Sequence, residues 1–158
     1  MATNRAEINQ SYPLPVYNYR VEIDGQAMSF SEVSGLNVAF ETKTYKESGT
    51  GDLAKPVMVQ MRMQATPPTV TLKRGIVRGG GERLAFLYNW LVGDELHLMV
   101  KKDITIVLCD EGGNPVIKWQ VLNAFPKKLD APSFTAESND AAIESMELVA
   151  DAVQIITV

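Results

Sequence analysis

The chain has 158 residues, of which 46% are hydrophobic and 22% charged, and its formal net charge is -4. That length and balance fit one globular domain with a real core and exclude wholesale disorder. The mild acidity argues against a dedicated nucleic-acid binder, which needs a basic field to meet phosphates, while leaving open a channel that nucleic acid passes without sticking.

Residues 1–15 are polar and end in Pro13–Leu14–Pro15. They read as an N-terminal arm that enters the domain extended, with a single domain over 16–158. Tyr17, Tyr19, Val21 and Ile23 then alternate with Asn18, Arg20, Glu22 and Asp24, the pattern of a half-buried strand. Asp24–Gly25 marks a tight turn into a second strand over 27–33, broken by Ser34–Gly35. A third strand is expected over 36–45. Leu36, Val38, Phe40 and Thr42 lie on one face and Asn37, Ala39, Glu41 and Lys43 on the other.

The next stretch is poor in apolar residues, too long for a tight turn, and suited to meeting a partner: Lys46, Glu47, Ser48, Gly49, Thr50, Gly51, Asp52, Leu53, Ala54 and Lys55, closed by Pro56. Residues 57–65 alternate again, with Val57, Val59, Met61 and Met63 against Met58, Gln60, Arg62 and Gln64. Thr66–Pro67–Pro68 ends that strand, and 70–74 forms another short one. Only one segment has a clean helical period: Leu84, Leu87, Tyr88 and Leu91 follow the i, i+3, i+4, i+7 pattern. Glu82 suits its start and Gly93 its end. Strands over 103–110 and 115–125 flank a Gly112–Gly113 turn, and the chain closes with strands over 141–149 and 154–158, the former also compatible with a helix. The architecture expected is an all-β barrel or sandwich with one helix.

Signs of chemistry are few. His97 is the single histidine, and Cys109, the single cysteine, lies in an apolar run that reads as buried. An intrachain disulfide is impossible. Gly79–Gly81 lacks the Lys-Ser/Thr of a phosphate-binding loop. Glu144 and Glu147 would point to opposite faces of a strand, so a contact with Lys or Arg fits better than paired acid–base work. The clusters Lys73/Arg74/Arg78, Lys101/Lys102 and Lys127/Lys128 read as solvated charges. No catalytic, cofactor or metal site is expected. The N-terminal residues lack the apolar stretch of a signal peptide, and no run approaches the roughly 20 apolar residues of a bilayer span. The expectation is therefore synthesis in the cytoplasm without a membrane anchor.

Five short segments occur in a specific order: Tyr19–Gly25 (YRVEIDG), Phe30–Leu36 (FSEVSGL), Val70–Ile76 (VTLKRGI), Asn123–Lys128 (NAFPKK) and Ala142–Leu148 (AIESMEL). In that order, with Trp90 in the helix between, the chain resembles the tail tube protein family of contractile phage tails and contractile injection systems, related to the secreted ring proteins of type VI secretion. It departs in having Phe125 where the bend commonly carries Trp, and Ala150–Asp151–Ala152 where a His-Glu-Gly-like turn is common. The resemblance implies six-membered rings whose sheets join into an inner β-cylinder, stacked into a tube inside a contractile sheath, with a baseplate and spike at one end and a terminator at the other. Cargo in the lumen would be a tape-measure protein, DNA or a protein effector, and the final location a virion tail or an injection particle. It makes the 46–55 loop an inter-ring contact that orders on stacking, and it places Glu41, Lys43, Gln60, Arg62 and Gln64 together on the lumen wall. Two other readings remain: a type VI secretion-type ring protein that carries effectors, and a monomeric β-barrel that binds a ligand inside.

Overall fold

Asp24 and Gly25 both take positive φ, 52° and 81°. This is the two-residue hairpin geometry that an Asp-Gly pair favours. In the computed structural model, which describes residues 4–49, 51, 55–79, 81–93 and 99–158, this turn joins β1 (Tyr19–Ile23) to β2 (Gln26–Met28). The expected second strand is split. Its far end is β3 (Glu32–Ser34), which pairs not with β1 but with β6 (Thr69–Gly75). The break lies at residues 29–31, where the Tyr19 hydroxyl donates to the Phe30 carbonyl at 2.7 Å and the Ser31 amide donates to the Lys73 carbonyl at 2.7 Å.

The remaining strands are β4 (Ala39–Glu47), β5 (Val57–Thr66), β7 (Lys102–Cys109), β8 (Pro115–Asp130), β9 (Ile143–Val149) and β10 (Ala152–Thr157). The main sheet runs β2-β1-β7-β8-β9-β6-β3, with β10 also on β8, and all its pairings are antiparallel. Its two outer strands, β2 and β3, follow each other in the chain, so the sheet curls back on itself. Residues 29–31 span the gap covalently, and no ladder between β2 and β3 closes the barrel among the described residues. The segment 141–149, ambiguous in sequence, is strand from Ile143 on, and β8 runs on five residues past its expected end.

β8 makes the curl. Its first half pairs β7 and β10 and its second half pairs β9. Between them Asn123 adopts φ 53°, unusual for a residue with a side chain. Its amide donates to Asp103 Oδ1 and its side-chain Nδ2 to Asp151 Oδ2, both at 2.9 Å. The Asp151 amide in turn donates to the Leu122 carbonyl at 3.0 Å. A register shift at Pro126/Lys128 admits the proline, which has no N–H to give a ladder.

The core lies inside the curl. Val21, Ile23, Val70, Leu72, Ile104, Val121, Met146 and Leu148 are at most 2% exposed. α2 (Gly81–Val92) is the expected helix. It places Leu87 and Trp90 in the same core and ends where the Gly93 amide bonds the Asn89 carbonyl at 3.1 Å. Trp90 Nε1 donates to the Val100 carbonyl at 2.8 Å, and Lys102 Nζ lies over the rings of Phe86 and Trp90 at 4.7 and 5.4 Å. Cys109 is buried, as expected. A second helix was not: α1 (Arg5–Ser11) forms in the arm, because Asn4 and Glu7 make a reciprocal capping box. The Glu82 side chain and His97 lie outside the described residues.

Arg74 departs from the solvated cluster expected of it. It is 6% exposed and ion-paired with Glu144, its cross-strand neighbour on β9. Lys73 pairs with Glu32 at 3.5 Å at the surface.

Gly35 has φ 85°, and a Cβ there would sit 2.1 Å from the Thr69 carbonyl oxygen. Both the backbone conformation and the space require glycine. Gly35→Ala is expected to lower unfolding free energy by about 2 kcal/mol or more, read from urea melts of the purified chain. An unchanged midpoint would contradict this packing.

Candidate assembly interface

The β3–β6 pair does not end at Gly35. Ser34 lies opposite Thr71, and counting on five residues in each strand puts Ala39 opposite Thr66, which is the pairing observed at the start of β4–β5. One two-stranded ribbon therefore runs out of the main sheet. Its ladder is interrupted where Gly35 bends the chain, with the Asn37 amide on the Gly35 carbonyl at 2.9 Å, and where Pro67 and Pro68 offer no N–H. Pro68 is itself buried, and its carbonyl accepts the Ala150 amide at 3.2 Å.

Beyond the bend, β4 and β5 pair only with each other among the described residues. All 9 residues of β4 and all 10 of β5 are exposed. They include Phe40, Tyr45, Val57, Met58, Val59, Met61 and Met63, each between 41% and 62% accessible. A lone two-stranded hairpin is marginal in water, and so large an exposed apolar patch marks an interaction surface.

The pairing register assigns the faces. Thr42 stands opposite Arg62, Thr44 opposite Gln60 and Lys46 opposite Met58, while Lys43 stands opposite Met61, Tyr45 opposite Val59 and Glu47 opposite Val57. Directly opposed residues share a face. Phe40 belongs with Arg62, whose guanidinium lies 4.2 Å above its ring. Between Phe40 and Thr42 the register shifts, so Met63 and Gln64 together face Glu41, a bulge in β5.

This register corrects the expected grouping of Glu41, Lys43, Gln60, Arg62 and Gln64 on one face. Gln60 and Arg62 share theirs with Thr42 and Thr44. Lys43, and Glu41 by alternation, lie on the opposite face beside Val59 and Met61. Alternation within each strand was legible. Which face of β4 meets which face of β5 depends on the register and the bulge, and neither leaves a mark in a single strand. Thr42, Thr44 and Lys46 were therefore missed as members of the polar face, and Phe40 was placed opposite Arg62 rather than beneath it.

The expected loop is also shorter than its sequence suggested. Lys46 and Glu47 belong to β4. Ser48, Gly49, Gly51 and Lys55 are described, and Thr50, Asp52, Leu53 and Ala54 lie outside the described residues. Gly49 closes on the far side of the loop: a Cβ there would be 2.3 Å from the Lys55 carbonyl oxygen.

A separate groove of about 400 Å³ opens at one mouth of the curled sheet, walled by Tyr19, Val33, Leu36, Ile106, Leu108 and Trp119. It is apolar. Its one carboxylate, Glu32, is engaged by Lys73. The Tyr19 hydroxyl at its edge titrates above its ordinary range because it is desolvated and lies near Glu32. No convergent set of polar groups points into it.

Residues 15–154 match the family described as T4-like virus tail tube protein gp19. The chain belongs to that family. The tail tube fold is seen in solved relatives. One is a chain of an extracellular contractile injection system, solved as the PVC sheath–tube complex in its extended state; it is 33% identical over 99% of this chain and 100% of that one, with a TM-score of 0.86. A chain from the tube-terminating cap of the anti-feeding prophage is 36% identical over 94% and 93%, with a TM-score of 0.82. A chain from the anti-feeding prophage baseplate has the same fold at 19% identity, 93% and 97% coverage and a TM-score of 0.74. No curated protein matches the sequence.

The exposure of β4–β5 predicts its dynamics in the isolated subunit. By hydrogen exchange, amides of β4 and β5 should exchange at least about a hundredfold faster than those of β7 and the first half of β8, whose side chains form the core. Equal protection would mean the hairpin packs against the same chain.

Proposed function

We propose that this tail tube protein is the subunit of the inner tube of a contractile injection particle, a structural component and not an enzyme. The observation that carries this is a β-hairpin with no cover among the described residues, in a protein that is 33% identical over 99% of its length to a chain of a sheath–tube complex. Six copies would join their hairpins edge to edge into a β-cylinder, and rings would stack into a tube. Strand addition at the open edges satisfies backbone groups that are otherwise left to water, and closing the ring removes the edges.

Partners follow from the same reading: further copies of the chain, an enclosing sheath, a terminator at one end and a baseplate and spike at the other. Relatives solved as sheath–tube, cap, terminator and baseplate assemblies support those contacts. Cargo would be carried in the lumen, and the particle would act outside the cell or as a virion-like tail. No helix among the described residues is long and apolar enough to cross a membrane. The matches at 33–36% identity favour this setting over a type VI ring protein. The apolar groove without convergent polar groups lends little to a monomeric ligand-binding barrel.

The register groups the hairpin residues into two faces, and that grouping supports a role for each. The face bearing Tyr45, Val57, Val59 and Met61 is the one that needs protein cover, so it packs outward within the ring wall. The face bearing Thr42, Thr44, Gln60 and Arg62 is left to the lumen. Residues 48–56 join β4 to β5 at the hairpin tip, in reach of the next ring.

Two changes test this. Val59→Asp alters only an exposed residue of the free subunit, so its thermal unfolding should match the parent within the ~0.5 kcal/mol typical of surface substitutions. Tubes in negative-stain micrographs should nonetheless disappear. Deleting 49–55 should leave folded subunits that form rings or short stacks but no long tubes. Normal tubes from either variant would defeat the corresponding assignment, and a parent chain that stays near 17.4 kDa at high concentration, with or without sheath and baseplate, would defeat the whole reading.

A further inference from the structure

The two faces of the hairpin differ in charge as well as in hydropathy. Lys46 and Arg62 stand on the face of Thr42, Thr44 and Gln60. The only carboxylates of β4 and β5, Glu41 and Glu47, fall on the other face: Glu47 opposite Val57, and Glu41 by alternation with Lys43. Each subunit thus offers one hairpin surface with two cations and no anion. The Arg62 guanidinium lies over the Phe40 ring at 4.2 Å, a cation–π contact that covers part of the one aromatic ring of that surface. Lys46 and Arg62 are four ladder positions apart, about 13 Å at strand spacing, with the Thr44–Gln60 pair between them.

We propose that this face, lining the channel of the tube read above, forms a sparse cationic wall that retains an acidic polypeptide as cargo. The spacing favours polypeptide over nucleic acid. Duplex DNA carries a charge every ~1.7 Å along its axis, and cations this far apart leave most phosphates unmatched. Scattered carboxylates with peptide groups between them do match: the cations take the carboxylates, and the threonine hydroxyls and the glutamine amide exchange hydrogen bonds with the backbone. Solvent-exposed charges at this density hold reversibly, since salt screens them, as a carrier that must release its load requires.

Cysteine reactivity in assembled tubes tests both the facing and the charge, because native Cys109 is buried. Thr44→Cys tubes are treated with methanethiosulfonates bearing a sulfonate or a trimethylammonium group. The sulfonate reagent should react faster, by about tenfold relative to the same ratio on a small thiol in solution, and the excess should vanish at 1 M salt. A second measurement sediments parent and Lys46→Gln/Arg62→Gln tubes with labelled polyglutamate, polylysine or an oligonucleotide of equal length. Parent tubes should retain polyglutamate about tenfold better than the variant and better than either other probe.

Equal reagent rates, or a reactive Val59→Cys beside an unreactive Thr44→Cys, overturn the assignment. So does stronger retention of the oligonucleotide than of polyglutamate. If the double variant forms no tubes, the reagent ratio and its salt dependence decide. Micrographs separate the two levels: no parent tubes overturns the tube reading and this inference with it, whereas tubes of normal width with no charge preference overturn this inference alone.

Discussion

The contact between Gly35 and the Thr69 carbonyl governs where the rest of the molecule can go. Up to Ser34 and Thr71 the β3–β6 ribbon is part of a curled sheet with a filled interior. One residue later the chain takes a left-handed turn against the opposite strand, at a distance no side chain would allow. The same ribbon then resumes in the same register, with Ala39 opposite Thr66, but leaves the core behind. Bending there converts residues that could have extended the sandwich into a free arm with two exposed faces. The apolar half of that arm, from Val57 to Met61, has no counterpart among the described residues. Burial at ~25 cal/mol per Å² is a strong drive, and only another molecule can supply it.

A rigid platform must stand behind such an arm, and the corner in β8 provides it. A sixteen-residue strand cannot stay flat under sheet twist. Here the change of direction is concentrated at Asn123, where the left-handed backbone is held by Asp103 on β7 and by Asp151 between β9 and β10. One strand thereby serves both halves of the sheet, and β9 delivers β6 to the position from which the ribbon departs. The Arg74–Glu144 pair spans β6 and β9 at the other end of their pairing, five residues along β6 from Thr69. For an ion pair so little exposed, desolvation offsets much of the attraction, and losing one partner would leave a buried charge. At the opposite end of β7 and β8 the turn is tied down by charge and amide contacts. The Asp110 carboxylate accepts the Gly112 and Asn114 amides at 2.9 Å, which holds its pKa below the ordinary carboxylate value, the Asn114 bond contributing most. Asn18 and Arg20 reach the same turn through backbone carbonyls.

What could be read in advance follows from how local each signal is. The Asp24–Gly25 turn, the strand alternation of β1, the presence of strands β7 and β8, the helical period of α2 and the burial of Cys109 each depend on a few neighbouring residues, and each appears as expected. The splitting of the 27–33 strand could not be seen, because it depends on β6, forty residues away, claiming Glu32–Ser34. Arg74 looked like one solvated charge among three until β9 placed Glu144 opposite it. The hairpin faces failed in the same way: a one-residue bulge changes which side chains sit together without altering either strand's own pattern. The short helix α1 was missed for a different reason. Its signal is the Asn4/Glu7 capping box, carried by two polar residues with no apolar stripe to draw attention.

An exposed apolar ribbon is hazardous for a subunit that must wait in solution before assembly. The composition of the hairpin limits that hazard. On the face to be covered, the apolar residues come from β5, while β4 contributes Glu41, Lys43, Tyr45 and Glu47 alongside them. A partner that merely offers grease would have to desolvate two carboxylates and an ammonium, which costs more than the apolar contact returns. A partner with compensating charges in matching positions would not. Like-charge juxtaposition and unpaired burial penalise every wrong register and every foreign surface. In the proposed ring of identical chains each subunit would meet the same neighbour in the same register, and all three charges could be satisfied at once. On that reading the charges on β4 would set which partner is accepted, and the apolar residues on β5 how firmly it is held.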